Sequence, residues 1–74
     1  MIVTHEQLKE IARSGGGLVA DASMLSFEQM RELATAASTG QARVLMKKVS
    51  ALTPAQLKAL ALLAPGLISF DLTT

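Results

Sequence analysis

Residues able to do chemistry are few in this chain, and they are scattered. His5 and Glu6 form its one adjacent acid–base pair, and a histidine steadied by a carboxylate is the arrangement of a general base. Their setting points to a plainer role. Both fall in the first turn of a predicted helix, where Glu6, like Glu28 in the equivalent place, answers the positive end of the helix dipole for roughly 0.3–1 kcal/mol. Gly15-Gly16-Gly17 is a second candidate, because successive backbone N–H groups can cradle a phosphate. Phosphate loops run from a strand through glycines into a helix. Here the glycines follow a helical pattern and precede an apolar run, which is the setting of helix termination. A third candidate is the set Lys9, Arg31 and Lys58, which recurs at one repeat position and would line up as a basic column able to meet phosphates or an acidic partner. Glu10 and Glu32 follow two of them directly and no aromatic residues are interleaved for base stacking, so the column reads as a solvated face. With one histidine and no cysteine there is no metal-ligand set, and no nucleophile or paired carboxylates stand out. The expectation is a protein without catalysis and without a cofactor.

The elements that must position these residues announce themselves by repetition. Val3-Thr4-His5-Glu6-Gln7-Leu8, Leu25-Ser26-Phe27-Glu28-Gln29-Met30 and Leu52-Thr53-Pro54-Ala55-Gln56-Leu57 each carry an apolar residue, a Ser or Thr, two spacers, a Gln and an apolar residue. That is a capping box joined to a hydrophobic staple, the signature of a helix start. From each cap, apolar residues fall at the fourth, seventh and eighth positions: Leu8, Ile11, Ala12; Met30, Leu33, Ala34; Leu57, Leu60, Ala61. This spacing paints one stripe along a helix. Pro54 at the first helical position strengthens the third start.

Each helix is followed by a break and a short apolar run. The breaks are Ser14–Gly17, Ser38–Gln41 and Pro65-Gly66; the runs are Leu18–Ala22, Arg43–Val49 and Leu67–Leu72. Their length and their Val, Ile and Phe content predict strands. The middle run also fits a helix over residues 40–51 behind a Ser38 cap, since Ala42, Leu45, Met46 and Val49 share a helical face; the strand is the preferred reading. Met1–Val3 could add a short strand, and Leu72-Thr73-Thr74 repeats the opening of a unit. The predicted architecture is one small α/β domain of three helix–strand units, approximately residues 3–24, 25–51 and 52–74. Their strands form a parallel sheet with the helices on one side.

The third unit, Leu52 to Leu72, resembles a leucine-rich repeat, above all in its Ala-Pro-Gly-Leu-Ile-Ser-Phe-Asp-Leu end. The first two units lack the Leu-x-Leu strand pattern and the Asn or Cys that follows it, so the asparagine ladder of that family is missing. The resemblance implies a stacked α/β architecture whose work is offering a surface to another protein. Gln7–Gly17 is also similar to the first helix and glycine loop of transcription-activator-like effector repeats, which implies DNA reading through that loop. Those glycines occur in one unit of three.

Composition sets the remaining bounds. Half of the 74 residues are hydrophobic, 3% are aromatic and mean hydropathy is +0.39. A chain this short buries only about 60% of the surface it exposes unfolded. Its apolar surplus predicts a partner, either another protein or a second copy in a homo-oligomer. The third helix carries most of that surplus, so Leu60, Leu62 and Leu63 are interaction candidates beside Lys9, Arg31 and Lys58. A net charge of +1 is too even for a committed nucleic-acid or membrane-surface binder. The alternative of a small helical nucleic-acid-binding or regulatory domain would use Lys9, Arg13, Arg31, Arg43, Lys47 and Lys48. No apolar stretch reaches the ~20 residues of a membrane span. The expected address is the cytoplasm, and the expected function is a protein-interaction or assembly module.

Overall fold

The computed structural model describes residues 4–72, so the expected strand at Met1–Val3, the staple residue Val3 and the Thr73-Thr74 end lie outside it. Three helices, α1 (His5–Arg13), α2 (Phe27–Gly40) and α3 (Pro54–Leu63), alternate with three strands, β1 (Leu18–Asp21), β2 (Val44–Lys47) and β3 (Ile68–Phe70). All three helices begin where the sequence places them. Gln7 N–H donates to Thr4 Oγ1 at 3.2 Å while Gln7 Oε1 accepts from Thr4 N–H at 2.9 Å. Ser26 with Gln29, and Thr53 with Gln56, make the same reciprocal pair. Each box satisfies two helix-end donors that would otherwise be orphaned, a contribution of about 1 kcal/mol. Leu25 and Leu52, the staple residues of the second and third starts, pack against the core.

The strands form one parallel sheet in the order β1-β2-β3. Register is level throughout: Leu18 lies beside Val44 and Val44 beside Ile68. Pairing on both sides resolves the middle run as a strand. The helix reading over 40–51 fails because Gln41 turns left-handed at φ 56° and ends α2, and Ala42 N–H caps back onto Ala37 O at 2.9 Å.

One boundary differs from expectation. Ser38–Gly40, read from sequence as a helix break, are the last turn of α2. The left-handed position belongs to Gln41, and its side-chain Nε2 donates to Ser38 O at 2.9 Å. Gly40 has a different reason to be glycine: a Cβ there would overlap the carbonyl oxygens of Ala12 and Arg13. It lets the ends of α1 and α2 touch, backbone to backbone.

Alternation along the strands separates two faces. Ala20, Val44 and Met46 are buried toward the helices, with Leu18, Ile68 and Phe70 partly buried beside them. Val19, 61% exposed, and Ser69 point to the opposite, uncovered face with Leu45 between them. The core is completed by Leu33 and Leu60, which are fully buried, and by Ala12, Ala34, Ala36 and Ala37, whose small side chains bring helices close.

Candidate interaction surface

The polar residues flagged by type and spacing fold into local pairs. His5 Nε2 lies 3.0 Å from Glu32 Oε1, and since a carboxylate only accepts, the ring N–H donates. The carboxylate that holds His5 therefore comes from α2, while Glu6 bonds Lys9 Nζ at 2.9 Å. The adjacent His5-Glu6 pair is no dyad. The other ring nitrogen, Nδ1, is buried without a hydrogen-bond partner, so a substrate has no path to it. A cleft of about 310 Å³ opens nearby between Leu8, Asp21, Met24 and Gln29. Asp21 there already accepts from Ser23 N–H at 2.9 Å and Ser23 Oγ at 2.6 Å.

The glycine loop is equally committed. Gly15 N–H donates to Ala12 O and Gly16 N–H to Ile11 O, both at 3.0 Å, so these donors close α1 and are not offered to an anion. Gly15, at φ 89°, is the left-handed residue that ends the helix.

Two of the three cations in the basic column are answered. Lys9 Nζ reaches Glu6 at 2.9 Å and Glu32 at 3.7 Å, and Arg31 reaches Glu28 at 2.8 Å. Arg13 pairs with Glu10 at 2.9 Å, and Lys48 lies 3.9 Å from Asp21. This leaves little uncompensated positive charge for a phosphate backbone. Lys58 is exposed and takes part in no ion pair among the described residues.

These pairs set the acid limb of stability. The hydrogen bond from Lys9, then its charge, holds the Glu6 carboxyl below its ordinary 4.5. Hydrogen bonds from Ser23 hold Asp21 below its ordinary 3.8, and the Glu6 hydrogen bond raises Lys9 above 10.5. A depressed carboxyl stabilises the fold above its unfolded value and loses that contribution as pH falls through the folded one. The raised Lys9 acts at the other end, lost only as pH rises past its folded value. Urea midpoints should therefore decline below about pH 4, and Glu6→Gln with Asp21→Asn should flatten that decline; an unaltered acid limb in the double variant would contradict the pairing.

Compared with protein-family models, curated proteins and solved structures, the chain matches none of them. Among the described residues no helix is long and apolar enough to cross a membrane.

The apolar candidates divide sharply. Leu60 is fully buried and belongs to the core, which corrects its reading as a contact residue. It occupies the position of Leu33 in α2, the middle of the stripe facing the sheet. Leu62 is 67% exposed and Leu63 half-buried. On α2, Glu32, Ala36 and Thr39 face α1 across a groove shared with Lys9 and Arg13. Their α3 counterparts Ala59 and Leu63 accordingly turn toward α2, so Leu57 and Ala61, on the other flank of the stripe, turn away from it.

That outer flank is the one sequence reasoning missed. Leu57, Ala61, Ile68 and Phe70 are half-buried, whereas their counterparts in the second unit, Met30, Ala34, Val44 and Met46, are all 3% exposed or less. The sheet edge continues it. Leu67 O accepts from Val44 N–H and Asp71 N–H donates to Met46 O, so by alternation the backbone groups of Ile68 and Phe70 face away from β2. An edge strand with apolar side chains above it is a template for another element. The only signal available in the sequence was the alignment itself, which makes Leu57 and Ala61 the equivalents of residues that a neighbour must cover.

Proposed function

We propose that this chain is a non-catalytic protein–protein interaction or assembly module of stacked helix–strand units, working in the cytoplasm. The observation that carries this reading is the outer flank of the third unit. Four side chains of core type stand half-open beside an unpaired strand edge, where a stacked neighbour would seal them. The polar groups support it from the other side, since His5, Glu6 and the glycine loop are spent on local pairing and helix ends. A nucleic-acid role finds no comparable support, because Lys9, Arg13, Arg31 and Lys48 each lie against a carboxylate.

The test is site-resolved crosslinking in the producing cell. A photoreactive benzoylphenylalanine replacing Ala61, on the open flank, should capture one protein partner, while the same group replacing Thr39, on the exposed outer side of α2, should capture none. Absence of capture at Ala61, or equal capture at both sites, would remove the reading.

A further inference from the structure

We infer that the open flank of the third unit receives a helix–strand block of another protein, one that sets a carboxylate on its helix against Lys58 and a cation at its strand end against Asp71. This rests on the interaction-module reading and adds the chemistry of the partner. The charges of the three units alternate. In the first, Lys9 stands five residues after the cap and Asp21 ends the strand. The second unit covers that side with Glu32, 3.7 Å from Lys9 Nζ, and with Lys47, directly across the sheet from Asp21.

The third unit presents the pair of the first again. Lys58 stands five residues after its cap, and Asp71, whose N–H bonds Met46 O, continues β3 to the level of Lys47. What differs is the helix around the lysine. Lys9 and Arg31 each have a glutamate three residues before them, bonded at 2.9 and 2.8 Å. Before Lys58 that place is held by Ala55, and the residue after it is Ala59 where the other helices have Glu10 and Glu32. The cation has kept its position and lost its own helix's acids, which is the pattern of a charge that a neighbour answers.

A second copy of this chain fits only half of the surface. Stacked head to tail, it would bring Glu10 to Lys58 but set Asp21 across from Asp71, and like charges facing each other across a sheet destabilise it. The unit that carries the right charges, the second, is enclosed between its own neighbours.

The matching block can be supplied as a probe: a fluorescent synthetic peptide of residues 25–48, titrated into the full chain by anisotropy. Saturable binding is expected, about tenfold weaker for the Lys58→Glu chain and restored when that chain meets the peptide carrying Glu32→Lys. Lys58 is exposed, so the variant should keep the parent's far-UV circular dichroism. Failure of the peptide to bind at millimolar concentration overturns the inference. So does binding indifferent to both reversals, as would follow if the peptide invaded the first unit. A stable dimer of the chain alone that Lys58→Glu dissolves would overturn it in favour of a second copy. In any of these cases, capture from Ala61 would still leave the module reading standing.

Discussion

Replacing Gly40 with alanine should lower the thermal midpoint by on the order of 15 °C, corresponding to about 3 kcal/mol in a domain of this size. The sign is the informative part. In an exposed helix the change from glycine to alanine gains about 1 kcal/mol, because alanine loses less backbone freedom on folding. At Gly40 the added methyl would overlap the carbonyl oxygens of Ala12 and Arg13 and lie 2.6 Å from the Arg13 carbonyl carbon. Those are backbone atoms at the end of α1, which cannot swing aside as a flexible side chain would. The helices must separate, and the seam sealed by Ala12, Ala36 and Ala37 opens with them. The same movement draws Glu32 away from His5 and Lys9, so the ion pairs that tie α1 to α2 weaken together. Gly66→Ala is the control. Its φ is 78° but nothing lies within 4 Å of the new carbon, so its cost is conformational alone, about 1 kcal/mol. A neutral or stabilising Gly40→Ala, measured by thermal and urea unfolding, would mean that α1 and α2 do not approach as described.

Gly40 also marks where sequence reading reached its limit. The three helix starts were legible because a capping box is local: Thr4, Ser26 and Thr53 each need only a glutamine three residues on. Unit order and a parallel sheet followed from the same periodicity, since short crossovers leave few alternatives. The end of α2 was misread because glycine suggests termination, and the contact that demands Gly40 lies 28 positions back in the chain, at Ala12. The middle run was ambiguous for a related reason. Arg43–Val49 suits either period on its own, and only the partners on both sides make it a strand. For the surface, alignment of the units revealed the Lys9–Arg31–Lys58 column but not the acids that answer it. Glu32 meets Lys9 across two helices, which no spacing within either helix encodes.

The division between Leu60 and Leu62 leads to the second large effect, and it decides how any interaction mutant of α3 must be interpreted. Leu60→Asp should abolish the fold at neutral pH, whereas Leu62→Asp should leave the urea midpoint within about 0.5 kcal/mol of the parent. Leu60 is fully buried, so its loss removes about 2–5 kcal/mol of packing. The aspartate that replaces it then needs either a cation or water, and the stripe around it holds Leu57 and Ala64 instead. A chain of this length has a total stability of roughly 4–11 kcal/mol, which the two losses together exceed or exhaust. Burial raises the folded carboxyl's pKa, so its destabilisation is largest above that value and shrinks as the group is protonated. Partial recovery of far-UV circular dichroism in Leu60→Asp between pH 7 and pH 4.5 should follow, and Leu62→Asp should show no such trend. Equal behaviour of the two variants would place both leucines in one environment and undo the orientation of α3. With that orientation goes the assignment of Leu57 and Ala61 to the open flank, because helical geometry places those residues only once the buried line through Leu60 is fixed.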